Sequence, residues 1–376
     1  LWESVDDRAA LQQLVAQTSK PRPTLAPLVQ AHARWAEQKL LGHRGQPSEA
    51  KAIGRELGLI TTFAVTGPFD NDGHRGHAAV YAPESEASAP AADSHYEGKN
   101  PSVPLRWRVL PETALSRDGS VPLDAWLRPD SQGTAYALCY IRSPQAQRVA
   151  VRVGSTGAVK VWVNRGAPVL DRELYHPLHP DQEVGGALLL AGWNRLLVKI
   201  SNNEGRWAFV LRLTTPDGRP LTGLVTSAAP SSPDWPIPAA AAYTGAPPSN
   251  LLTLLRARVP KLAAGTRLVP GSAAARSRAE ALLDLGLYLH YITPFDPETR
   301  EDEQVVAEAV ALWPSRRAYR LLALVTGEVN RERSSVEAGL ALPGDGEPDE
   351  RARLLYELGR IYDEGQRQRQ AEQAYA

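Results

Sequence analysis

The stretch Val149-Ala150-Val151-Arg152-Val153-Gly154-Ser155-Thr156-Gly157-Ala158-Val159-Lys160-Val161-Trp162-Val163-Asn164 decides the fold class. Valine holds every second place on both sides of the turn Gly154-Ser155-Thr156-Gly157. Successive side chains of a strand point to opposite faces, so each run lays one apolar face on a core. β-branched residues at that spacing, broken by turn residues, predict two half-buried strands. Working outward, Leu196, Val198 and Ile200 alternate with Leu197, Lys199 and Ser201. After Asn202-Asn203-Glu204-Gly205, Trp207, Phe209, Leu211 and Leu213 alternate with Ala208, Val210 and Arg212. Short strands with turn-rich joins and no helices between them predict a β-sandwich or jelly roll over 61–226, not a parallel sheet.

The flanks change period. Residues 1–60 predict an N-terminal helical segment. Leu11, Leu14 and Val15 lie in a first helix, which Lys20-Pro21-Arg22-Pro23 breaks. Leu28, Ala31 and Trp35 share a second, and Ser48 to Leu57 a third. Residues 227–249 are rich in Pro, Ala and Ser and read as an extended linker. From 250 to 376 the spacing is helical again, in segments near 250–259, 273–291, 301–312, 315–329, 333–342, 349–364 and 367–376.

Composition bounds the function. The 376 residues suit two or three domains. Lys+Arg and Asp+Glu are 42 each, which excludes a global basic field for nucleic acid or an anionic membrane. A hydrophobic content of 43% excludes disorder of the whole chain. No apolar run reaches the roughly 18 residues of a membrane-spanning helix. The single cysteine, Cys139, excludes an internal disulfide and reads as a core thiol in the run Ala135–Ile141. The lack of methionine, position 1 included, predicts a processed or partial chain.

Two resemblances add to this. Counted from Ala352, the residues Leu355, Leu358, Gly359, Tyr362, Ala371 and Tyr375 fall at the fourth, seventh, eighth, eleventh, twentieth and twenty-fourth places. That resembles the tetratricopeptide repeat, a helical hairpin of about 34 residues. It implies about three hairpins over 273–376, Gly359 and Ala371 at a close helix crossing, and a peptide-binding surface. The last unit stops at Ala376, which predicts that the natural protein continues. The stretch Val161-Trp162-Val163-Asn164-Arg165-Gly166, then Asp181, then Gly192-Trp193-Asn194-Arg195, resembles galactose-binding-like jelly rolls attached to bacterial glycoside hydrolases, with Arg165 intruding in the hairpin turn. Thr66-Gly67-Pro68-Phe69-Asp70-Asn71-Asp72-Gly73, Tyr81-Ala82-Pro83-Glu84 and Leu105-Arg106-Trp107 resemble large bacterial envelope proteins. Those proteins set such a jelly roll among tetratricopeptide repeats, upstream of a transglutaminase-like domain. A periplasmic or cell-envelope location is implied by this resemblance alone. The Cys-His-Asp chemistry of the transglutaminase-like domain does not carry over, because Cys139 lies inside a strand run.

Candidate sites are few. Alternation sends Arg152, Lys160, Trp162, Lys199 and Arg212 away from the apolar faces. The plain reading is a solvated sheet face, with Trp162 packed under the N-terminal helices. The functional reading is a face on which Trp162 stacks on a sugar ring or the cations meet a partner. Asp70 and Asp72 lie in an Asn-Asp-Gly loop that reads as a turn, with structural calcium as the alternative. His74, His77, His95, His176 and His179 match no usual zinc spacing. Neither a Gly-x-Ser-x-Gly nor a phosphate-loop motif is present. The chain therefore reads as a non-enzymatic interaction or scaffold protein without a cofactor. Its expected partner is a protein held by the helical hairpins and a jelly-roll surface. The alternatives are a carbohydrate-binding module, or the non-catalytic N-terminal portion of a larger envelope enzyme.

Overall fold

The computed structural model describes residue 13 and residues 25–376, apart from 92, 117, 230, 231, 233, 264–266, 293–298 and 345–347. The expected helix with Leu11, Leu14 and Val15 lies outside the described residues. The chain divides into two compact units, Leu1–Asn250 and Leu251–Ala376.

The first unit opens with α1 (Pro27–His43) and α2 (Pro47–Glu56). Each starts on a proline, whose missing N–H is not needed in the first turn. Eleven strands follow among the described residues. They are β1 (Ala64–Asp70), β2 (Arg108–Val109), β3 (Val121–Pro122), β4 (Gly133–Ser143), β5 (Gln147–Ser155) and β6 (Ala158–Val163). Then come β7 (Leu170–Arg172), β8 (Glu183–Leu189), β9 (Gly192–Asn202), β10 (Ala208–Thr214) and β11 (Val225–Ser227). Between β1 and β2 run two single turns, α3 (Arg75–Ala78) and α4 (Ala82–Ser85).

One sheet has the order β2-β1-β4-β9-β6-β7, with β11 also paired to β4. The other has the order β3-β10-β5-β8. All pairings are antiparallel. The long strands alternate between sheets, with β4, β6 and β9 in the larger and β5, β8 and β10 in the smaller. The alternation in the sequence decides which side chains meet between them. Val149, Val151 and Val153 of β5 join Leu196, Val198 and Ile200 of β9 in one buried core. Cys139 lies in it too, and Phe63 meets Phe209 edge-on at 5.2 Å. Each buried aliphatic side chain contributes about 1.5–3 kcal/mol.

The opposite faces correct the expectation of a solvated surface. α1 and α2 lay Ala31, Trp35, Ile53 and Leu57 against Val210, on the outer face of the smaller sheet. Arg152 and Arg212 are each only 1% exposed there. The segment between β1 and β2 covers the outer face of the larger sheet. There Phe69, Ala89 and Leu105 gather with Tyr136, Tyr140, Trp162 and Leu197. Lys199 is wholly buried on that side, and Trp162 is 7% exposed. Trp162 is therefore covered by this segment and not by the N-terminal helices. Residues 235–241, read as linker, form isolated bridges with the sandwich, bury Ile237 and set Trp235 edge-on to Tyr140 at 5.7 Å.

The second unit holds α5 (Leu251–Arg258), α6 (Ala273–Ile292), α7 (Glu301–Leu312), α8 (Arg316–Thr326), α9 (Val329–Leu340), α10 (Pro348–Glu364) and α11 (Gln368–Tyr375). Consecutive helices pack together, and α6, α8 and α10 also touch in series. The helices expected at 315–329 and 333–342 are bounded differently. Gly327 at φ 67° ends α8, as a left-handed residue does past a helix C-terminus. At the other end, the Ser315 hydroxyl accepts the Ala318 N–H. Gly359 faces the Tyr375 ring more closely than Ala371, although Ala371 is buried.

Candidate functional site

The five residues expected to share one face lie on two sheets; Arg152, Trp162, Lys199 and Arg212 are buried and Lys160 is partly buried. Arg212 donates Nε to Asp181 Oδ1 at 2.7 Å and Nη2 to Oδ2, and Nη1 to the Leu57 carbonyl at 3.1 Å. Burial pushes the Asp181 carboxyl up, but Arg212 and its hydrogen bonds outweigh that and hold it below the usual range. Arg152 donates Nε to Thr214 Oγ1 at 2.8 Å. On the larger sheet, Lys199 Nζ reaches Glu84 Oε1 at 2.8 Å and the His77 carbonyl at 3.1 Å. Burial pushes its ammonium down from the usual lysine range, against the pull of Glu84. Lys160 Nζ lies 3.2 Å from Asp171 Oδ2, whose Oδ1 is 2.8 Å from His77 Nε2. The Arg212–Asp181 and Lys199–Glu84 pairs let charged groups survive in a dry layer, whereas Asp171, 47% exposed, carries the Lys160 and His77 contacts out to the surface.

Asp70 and Asp72 do converge on a cation, but it is a side chain. Lys99 Nζ stands 2.7 Å from Asp72 Oδ1, 3.6 Å from Asp70 Oδ1 and 2.7 Å from the Gln132 carbonyl. Its hydrogen bond, above all, holds the Asp72 carboxyl below the usual range. No group of three or more His, Cys, Asp and Glu among the described residues is arranged to hold a metal ion. Of the histidines, His74 packs on Tyr175 with ring centres 4.4 Å apart, and burial pushes His179 down to about 4.

A different place is open. A groove of about 580 Å3 lies at the β2 edge of the larger sheet. Arg106, Trp107, Arg108, Trp126, Arg128 and Pro129 line it together with Gly67-Pro68. Gly67 has φ 145°, a conformation a side chain rarely adopts, and its Cα faces the Thr134 carbonyl and Ala135 of β4. The register of β1 on β4 shifts between Thr66 and Phe69, which bends the edge there.

The groove is cationic and aromatic. Its described lining holds three arginines and no carboxylate. Arg128 is steadied by Asp130 at 3.5 Å and by the Leu127 carbonyl at 2.7 Å. Arg108 Nη2 reaches the Trp126 carbonyl at 3.2 Å. Arg106 is exposed and meets no hydrogen-bond or acidic partner among the described residues. Trp126 is 36% exposed. Trp107 is half-buried and pinned from behind, with Nε1 donating to Tyr96 Oη at 2.7 Å and Tyr96 donating on to Glu86. Burial pushes the Glu86 carboxyl up.

Sequence reading missed this groove. Leu105-Arg106-Trp107 was legible only as a mark of resemblance, and Trp126 and Arg128 carried no pattern. The one local signal was the charge–aromatic–charge order of Arg106, Trp107 and Arg108. No protein-family model matches the chain, and no curated protein matches it.

Proposed function

We propose that this chain is a non-catalytic interaction protein, and that its sandwich engages a partner through the Arg106–Trp126 groove. The observation that carries the reading is an unpaired guanidinium, Arg106, beside two indoles in a lining without a carboxylate. Arginine is weakly hydrated and forked, so it binds carboxylates at modest desolvation cost, and indoles add apolar area beside it. The described lining offers no Ser, Cys, His, Asp or Glu for nucleophilic or acid–base work.

The sandwich is of the galactose-binding-like jelly-roll kind in this reading, supported by the alternation of consecutive strands between two sheets. The helical unit is a short tetratricopeptide-like stack, supported by the series contact of α6, α8 and α10 and by small residues at helix crossings. It serves as a second contact surface for a protein partner. A glycan-binding module is the second reading, favoured by the open indole of Trp126. A bacterial envelope setting rests on the sequence resemblance alone.

The test is to probe peptide and glycan arrays with the full 376-residue chain and with a variant carrying Arg106→Glu and Trp126→Ala. Saturable binding that the variant loses supports the reading. Binding that the variant keeps undiminished, on every array, refutes the groove as the contact surface.

A further inference from the structure

β2 is the outermost strand of the larger sheet and pairs with β1 only. Ala64 lies opposite Val109, and Val65 opposite Arg108. One residue on, the Leu110 N–H donates to the Phe63 carbonyl at 2.9 Å. Antiparallel pairs alternate between hydrogen-bonded and non-bonded positions. The bond at Leu110 therefore turns the N–H and C=O of Val109 away from β1, toward the open side. Val109 is 64% exposed, and its main chain meets no partner among the described residues. An open edge of this kind is a template for another extended chain.

The groove lies along this same edge. Arg106 and Arg108 are exposed on either side of the half-buried Trp107. With Arg128, which pairs with Asp130 at 3.5 Å, they place three guanidinium groups in the groove, whose described lining holds no carboxylate. Charge complementarity selects an acidic occupant. Exposed apolar side chains, Val103 at 55% and Trp126, stand among the cations. An occupant that alternates acidic and apolar side chains, as an extended peptide does with a period of two, would satisfy both sets.

A glycan suits this site less well. It has no extended main chain for the Val109 edge, and Trp107 is half-buried with its N–H turned inward to Tyr96. We infer that the groove receives an extended acidic segment of a partner protein, which lies beside β2 and sets its carboxylates on Arg106, Arg108 and Arg128. This rests on the reading of the groove as the contact surface, and it adds the chemistry and conformation of what the groove holds.

The probe is a fluorescein-labelled peptide of alternating Glu and Val, titrated with the full chain at low and physiological salt and read by anisotropy. Binding is expected to weaken with salt. Arg106→Glu and Arg108→Glu should each weaken it by about tenfold or more. Lys261→Glu, an exposed lysine of the helical unit, should leave it unchanged. A peptide with Lys in place of Glu, and one with alternate amides N-methylated on its edge-facing side, should both lose binding. Equal affinity of the N-methylated and parent peptides overturns addition to the edge. Binding of an oligogalacturonate in place of the peptide, lost in Trp126→Ala, overturns the peptide class while the groove stands as a contact surface. Silence of both probes, with arrays equally silent, overturns the inference and the groove reading together.

Discussion

Arg212 and Asp181 meet as a two-pronged ion pair closed to solvent, with Nε 2.7 Å from Oδ1 and Nη2 on Oδ2. The two side chains are 1% and 4% exposed. The pair fastens the loop before β8 to the outer face of β10, beneath α2, and the Leu57 carbonyl just past the end of α2 accepts a further bond from Arg212. Removing one partner strands the other charge in a dry layer. Asp181→Ala should therefore cost about 3–5 kcal/mol, and the double variant Asp181→Leu, Arg212→Met should recover much of that loss. Urea unfolding followed at the tryptophans measures both. An Asp181→Ala variant as stable as the parent would remove the pair from the account of the fold.

The same pair sets an acid limb. The Asp181 carboxyl is held below its ordinary value of 3.8 in the folded chain. The unfolded chain thus binds the proton first as pH falls. The stabilisation is present above 3.8 and drains away as pH drops through the lower folded value. Melting temperatures from neutral pH to pH ~3 should fall more steeply for the parent than for Asp181→Asn. Parallel curves would contradict the assignment.

Tyr136 and Tyr140 sit four residues apart on β4, with their side chains on the outer face, and differ in one respect. The Tyr136 hydroxyl donates to Glu84, whereas the buried Tyr140 hydroxyl has no hydrogen-bond partner among the described residues. Tyr136→Phe should cost about 1.5–3 kcal/mol, the worth of a bond to a charged group. Tyr140→Phe should change stability by less than about 0.5 kcal/mol or raise it. Burial pushes both phenols above 10, so their contribution holds below pH 10 and is lost as pH rises beyond it. Chemical denaturation at neutral and alkaline pH tests both statements. Equal losses from the two variants at neutral pH would show that the Glu84 bond is not what distinguishes them.

Lys99 already occupies the space between Asp70 and Asp72. Calcium or a chelator should leave the melting temperature of the parent chain unchanged. A bound ion at a hundred times its dissociation constant would instead stabilise by ~2.7 kcal/mol. Scanning calorimetry with and without chelator decides it, and a chelator-sensitive transition absent in Asp72→Ala would restore the calcium reading.

Gly286 lies at the crossing of α6 and α7, where an added Cβ would run into Val306 and Val305. Helix propensity favours alanine over glycine by roughly 0.5–1 kcal/mol. Overpacking opposes it by about 1–3 kcal/mol, so Gly286→Ala should be net destabilising. A gain in stability on urea unfolding would mean that the two helices can part at no cost.

The sequence by itself determined strands β5, β6, β9 and β10 and which of their side chains enter the core. Val149, Val151 and Val153 had to share a face because successive strand residues point to opposite sides, whatever surrounds them. It also marked the helices of the second unit to within a few residues from their spacing, although it ran one helix to 329, past Gly327, where the left-handed backbone ends it. The same local rule could not say what lies over the other face. Arg152, Lys199 and Arg212 read as solvated, yet α1, α2 and the segment between β1 and β2 cover them. Their partners stand far off in the chain, Glu84 lying 115 positions from Lys199 and Asp181 31 positions from Arg212. The groove had still less of a trace, because Gly67, Arg106 and Trp126 lie on separate segments and acquire their common surface only where β2 closes the sheet edge. Periodicity is a property of neighbours along the chain. Coverage and concavity are properties of neighbours in space, so the tertiary structure alone decided which polar residues were buried in pairs and which were left exposed.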